Sequence, residues 1–116
     1  MAYPKRGSVY LVNLDPTIGS EIKKTRPAVV IQNDVGNQYS PTTIIAPITS
    51  GEETVYPVEV EVKAPEGGLS NNSLILLNQI RAVDKRRLVK FLGTVKPETM
   101  RLVDRAITIS LGLVPL

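Results

Sequence analysis

The feature that most constrains this chain is its punctuation: short β-branched and apolar runs, each closed off by proline, glycine, asparagine or aspartate. That is the punctuation of a compact, mostly β domain. Residues 7–14 (GSVYLVNL) read as a first strand, and residues 15–20 (DPTIGS) open a polar loop that runs to Thr25. Residues 27–32 (PAVVIQ) form a buried-strand run closed by the turn residues Asn33, Asp34, Gly36 and Asn37. A third strand spans residues 42–49, and its Pro47 predicts an edge or a bulge, because proline cannot donate to a ladder. Strict alternation over residues 56–63 puts Tyr56, Val58, Val60 and Val62 on one face and Glu59, Glu61 and Lys63 on the other. After the tight connection at residues 65–68, residues 73–83 read as one long strand, with Gln79 and Arg81 on one face and Asn78 on the other. Asp84 suits the cap of a short turn over residues 85–87, and residues 88–92 are the last strand.

The end is helical. Pro97 suits a first helical position and Glu98 the positive N-terminal end, with apolar residues following at Met100, Val103, Ile107 and Leu111. Leu102, Ala106, Ile109 and Leu113 widen that apolar face. Such a face either packs on both the domain and a second copy, predicting a homodimer, or only closes the open end of the sheet. At 116 residues the chain is expected to be one domain, 1–116. The N-terminal residues are too short and polar for a signal peptide, and no apolar run approaches the ~20 residues of a membrane span. A soluble, cytoplasmic protein is the expectation.

Histidine and cysteine are both absent. No Ser-His-Asp or Cys-His triad, thiol nucleophile or zinc-thiolate site is therefore available. Carboxylates are not grouped as a catalytic metal requires, and the adjacent pair Glu52-Glu53 reads as solvated surface. The prediction is no metal and no cofactor. Net charge is +3, a mild excess permissive for nucleic acid, concentrated in Lys23, Lys24 and Arg26 and again in Arg81, Lys85, Arg86 and Arg87. RNA carries its own nucleophile, the 2′-hydroxyl. Cleaving it requires alignment, removal of one proton and stabilisation of phosphorane charge, which one carboxylate, one or two guanidinium groups and a few hydroxyls suffice to supply.

Three stretches in register carry a resemblance: residues 14–21 (LDPTIGSE) with 26–34 (RPAVVIQND), residues 46–50 (APITS) and residues 76–88 (LLNQIRAVDKRRL). In ordering and spacing the whole chain resembles the MazF/PemK-type toxins. The resemblance implies a mainly β fold with a C-terminal α-helix, an SH3-like or CcdB-like β-barrel that is homodimeric. It implies cleavage of single-stranded RNA at short sequences, leaving a 2′,3′-cyclic phosphate and a 5′-hydroxyl. It also implies a MazE-type antitoxin partner, whose acidic segment blocks the groove.

On the matching positions, Arg26 presents a planar donor fork suited to phosphate. Its high pKa favours transition-state stabilisation over general-acid work, though the resemblance allows either. Thr49, with Ser50 beside it, is placed to bond a non-bridging oxygen. Glu21 is the candidate general base, or else a solvated loop acid, with Ser20 adjacent. Gln79 and Arg81 are expected to read bases or hold phosphate, although Arg81 equally suits a bridge to Asp84. Lys85, with Arg86 and Arg87, is a candidate basic rim for substrate, or ordinary solvated surface. Two departures stand out: residues 22–25 (IKKT) replace a small, glycine-containing stretch, and Asn78 stands where some relatives carry an acid. With one phenylalanine and four tyrosines, base stacking is expected to be sparse. The alternative is a gyrase poison of the CcdB type, binding without catalysis.

Overall fold

A computed structural model describes residues 3–16, 18–21, 24–52 and 57–115. Its elements run β1 (Ser8–Asn13), β2 (Thr25–Val30), α1 (Asp34–Tyr39), β3 (Thr42–Ser50), β4 (Glu59–Val62), β5 (Ser73–Leu76), β6 (Arg81–Asp84), β7 (Leu88–Thr94) and α2 (Pro97–Ser110). Seven strands form one antiparallel sheet in the order β4-β5-β3-β2-β1-β7, with β6 also paired to β3. The mainly β architecture with a C-terminal helix is as the sequence predicts. Glu53 and Tyr56, and with them the start of the predicted alternating strand, lie outside the described residues, as do Ile22 and Lys23.

Strand β3 organises the sheet. One side pairs with β2; on the other, Thr42–Ile45 face β6 and Ile48–Ser50 face β5. Pro47 lies at the handover between those two neighbours. The expectation of an edge strand is thus corrected: β3 is interior, and the missing N–H falls where no ladder bond is required on that side. The same handover corrects the single long strand expected over residues 73–83. Leu77 to Ile80 leave the ladder, with the Gln79 N–H donating to the Leu76 carbonyl (3.2 Å), so β5 and β6 are separate strands.

The two faces of the sheet bury different clusters. Val9, Val29, Ala46, Ile48, Val60, Val62 and Ile75 pack beneath Val103 and Ala106 of α2. Val12, Leu14, Ala28, Val30, Ile45 and Val83 form the second cluster. The chain after β4 folds over β7, and that approach has no room for side chains. Gly68 has φ +72°, and a Cβ there would stand 2.0 Å from the Leu92 carbonyl oxygen.

Helix α1 replaces what read as two turns. Asn33 caps it, its side chain accepting from the Gly36 N–H (2.8 Å). The fully buried Asn37 amide then holds it to the sheet, accepting from the Thr43 hydroxyl (2.6 Å) and donating to the Gln32 carbonyl (2.9 Å). Helix α2 starts at Pro97 as predicted but stops at Ser110. The Gly112 N–H donates to Ile109 and the Leu113 N–H to Thr108 (3.1 and 2.8 Å), a Schellman stop with Gly112 at φ +72°. Leu111 and Leu113 therefore lie beyond the helix.

Candidate active site

Strands β2 and β3 run past the buried core at one end of the sheet, and the residues there are the ones the sequence singled out. On β2, Arg26 shares an alternation face with the buried Ala28 and Val30; on β3, Thr49 shares one with Ile45 and Pro47. The β2–β3 register is Ala28 against Pro47 and Val29 against Ala46. The pairing ends at Ala28 and Pro47, and beyond it Arg26 and Thr49 border the same cleft. Arg26 is exposed, Thr49 half-buried and Ser50 exposed. These three line one cleft of about 310 Å³ together with Ser70, Asn71 and Leu92. Leu92 enters because β7 has a register break there: Val9 pairs with Gly93 and Tyr10 with Phe91, leaving Leu92 out of the ladder.

The loop between β1 and β2 supplies a second groove of about 600 Å³, bordered by Ser20, Glu21, Pro47, Gln79 and Arg81. Asn78 borders it as well, contrary to the strand alternation expected for residues 78–81. In a turn the two-residue period no longer applies, so consecutive side chains reach the same hollow. Glu21 closes its own turn: its carboxylate accepts from the Ile18 N–H at 2.5 Å, and its N–H donates to the Ile18 carbonyl at 3.2 Å.

The basic residues divide. Lys24 and Arg26 lie at the entry to β2. The second basic group is engaged inside the chain. Arg81 Nη1 donates to the Leu14 carbonyl (3.0 Å). Lys85 Nζ donates to the Asn37 carbonyl and borders neither groove, lying instead beside Tyr39 and Pro41. Arg86 holds Asp84 through Nε and Nη2 (3.0 and 3.1 Å). Arg87 Nη1 donates to the carbonyls of Asn13 (3.1 Å) and Asp15. Asp84 is thus bridged by Arg86, not by Arg81 as one reading expected, because Asp84 caps the turn that carries Arg86. The Arg86 side chain and its backbone N–H together pull the Asp84 carboxyl down to about 2.

The structure brings Arg26, Thr49 and Ser50 to one cleft and Ser20, Glu21, Gln79 and Arg81 to the other. It does not bring Lys85 to either. The sequence reading passed over Ser70 and Asn71, since serine and asparagine in a turn are ordinary loop chemistry. Among the described residues no three of His, Cys, Asp or Glu are grouped to hold a metal ion.

The fold and the site together define a small antiparallel β domain with two surface grooves, lined by guanidinium, hydroxyl and amide groups. Comparison with known proteins makes the assignment specific. The chain belongs to the family of PemK-like, MazF-like toxins of type II toxin-antitoxin systems, which matches residues 5–111. It is 46% identical over 111 residues to Endoribonuclease EndoA of Bacillus subtilis, covering 95% of this chain and 96% of that one. It is 48% identical over 110 residues to Endoribonuclease MazF of Staphylococcus epidermidis, covering 94% and 92%. The crystal structure of MazF from Deinococcus radiodurans superposes with a TM-score of 0.83 at 26% identity, covering 97% of this chain and 99% of that one. A MazE–MazF complex from the same organism matches with a TM-score of 0.76 at 23% identity, covering 97% and 98%.

Proposed function

We propose that this chain is a sequence-specific endoribonuclease, the toxin of a type II pair, cutting single-stranded RNA without a metal. The observation that carries the reading is the cleft that Arg26 and Thr49 both line, with Glu21 on the loop that leads into β2. In this reaction the substrate 2′-oxygen attacks the adjacent phosphorus while its proton passes to the Glu21 carboxylate. The P–O5′ bond breaks, the 5′-oxygen takes a proton from water, and the products are a 2′,3′-cyclic phosphate and a 5′-hydroxyl. Arg26 stabilises the charge on the phosphorane through its fixed donor fork, and the Thr49 hydroxyl donates to a non-bridging oxygen. Ser20, Ser50, Gln79 and Arg81 line the path of the flanking nucleotides. Lys85, engaged with Asn37, serves the fold and not the substrate.

The same reading makes the protein a cytoplasmic homodimer of one domain per chain, restrained by a MazE-type antitoxin with an acidic segment. Among the described residues no helix is long and apolar enough to cross a membrane. The gyrase-poison alternative loses its footing, since relatives at 46% and 48% identity are named endoribonucleases.

The test is purified protein, free of antitoxin, with a long unstructured RNA and excess EDTA. Discrete fragments bearing 5′-hydroxyl ends are the expected result. Intact RNA from folded protein would overturn the proposal.

A further inference from the structure

The loop that carries Glu21 and leads to Arg26 is closed at its base from two sides. Within the ladder, Asn13 pairs with Thr25 as the last register position of β1 and β2. Immediately beyond it, the Leu14 N–H donates to the Lys24 carbonyl (3.0 Å), and the Lys24 N–H donates to the Asp15 carboxylate (2.9 Å). Lys24 is held there at φ +69°, a left-handed conformation that a lysine adopts only where its surroundings impose it. The carbonyls of Asn13, Leu14 and Asp15 are three successive acceptors where the chain leaves the sheet, and acceptors in that position need donors from elsewhere. They receive them from two arginines far along the chain: Arg87 to Asn13 and Asp15, Arg81 to Leu14.

From this geometry we infer that Arg87, together with Arg81, is a positioning residue that fixes the hinge of the β1–β2 loop and so sets Glu21 against Arg26. Arg87 acts through the loop and touches no substrate. Both bonds leave one nitrogen, Nη1, whose two N–H groups are fixed in the guanidinium plane and diverge toward the two carbonyls, a direction that an ammonium on a flexible stem does not hold. The basic run at residues 85–87 is thereby given work inside the fold, with each of its members donating to a group of its own chain. The catalytic consequence rests on the function proposed above; the clamp itself does not.

The experiment compares wild type, Arg87→Gln and Arg87→Lys in ¹⁵N-labelled protein, with parallel kinetics on a short single-site RNA. In Arg87→Gln the amide resonances of Gly19, Ser20, Glu21 and Lys24 are expected to shift or broaden while those of the core strands stay in place. kcat should fall by about tenfold to a hundredfold, because small misplacements of reacting groups are that costly. KM should stay within about twofold, and the salt dependence of RNA binding should keep its slope, since no phosphate contact is lost. In an Arg26→Ala background the same substitution should cost little more, the clamp having lost the group it serves. Arg87→Lys should recover only part of kcat, and it carries the same readouts should Arg87→Gln fail to fold. Unmoved loop amides would overturn the inference. So would a raised KM with a salt slope reduced by about one, the signature of a phosphate contact. Should wild type cleave no RNA, the proposed function fails, and the loop amides still decide the clamp.

Discussion

Arg26 stands where β2 emerges from the core, two residues beyond the buried Ala28, so its charge reaches solvent while its backbone is fixed by the ladder with β1. A transition-state donor in that position should show its loss chiefly in the rate. Arg26→Ala is expected to lose about 10²-fold or more in cleavage rate while keeping the fold, checked by single-turnover kinetics and circular dichroism. Arg26→Lys should restore little, because the planar fork is gone. Asp84 provides a pH marker away from the grooves. Its carboxyl is lowered to about 2 by Arg86, below the ordinary 3.8. A lowered folded value means the ionised carboxylate favours the native state. That contribution is fully present above about pH 4 and is lost as pH falls through about 2. Carboxyl NMR titration should show Asp84 protonating near pH 2, with Arg86→Gln returning it toward the ordinary range.

At the scale of elements, the joints carry the sharpest expectations. The N-cap residue of α2, Lys96, offers no side-chain cap, and the first turn is served from outside. Glu66 accepts from the Lys96 N–H (2.9 Å) and from the Thr99 hydroxyl (2.5 Å). Glu66→Ala should therefore destabilise the protein by about 0.5–2 kcal/mol, the cost of a lost cap, read from the urea midpoint. Gly68→Ala should do worse, by about 1–3 kcal/mol from its left-handed backbone alone. Its methyl would also meet the Leu92 carbonyl oxygen, and Leu92 borders the Arg26 cleft.

For the whole molecule, α2 buries Val103 and Ala106 in the core yet leaves Leu102 57% exposed, with Leu111 and Leu113 exposed beyond its end. An apolar surface of that kind on so small a domain fits the proposed dimer. Sedimentation should give twice the 12.7 kDa chain mass, and Leu102→Glu should shift the equilibrium toward monomer without unfolding it. A wild-type monomer at micromolar concentration would remove the dimer from the proposal.

Local chemistry determined a good deal of this protein from sequence alone. Alternation marked the β4 face, Pro97 marked the start of α2, Asp84 marked its own capped turn, and the lack of histidine and cysteine narrowed the chemistry before any fold was known. These are properties of neighbours in the chain, set by backbone preference and side-chain type. The rest depended on partners distant in sequence. Residues 73–83 split into two strands because β3 changes neighbours at Pro47, a fact about pairing that no local period encodes. Residues 34–39 became a helix because a buried Asn37 is satisfied by Gln32 and Thr43. Only the folded chain decided which cations face the grooves. Arg26 and Arg87 look alike in sequence, but one stands at the mouth of a cleft and the other donates to carbonyls 72 and 74 residues away. A charged side chain takes its role from the acceptors within reach, and tertiary structure alone decides which acceptors those are.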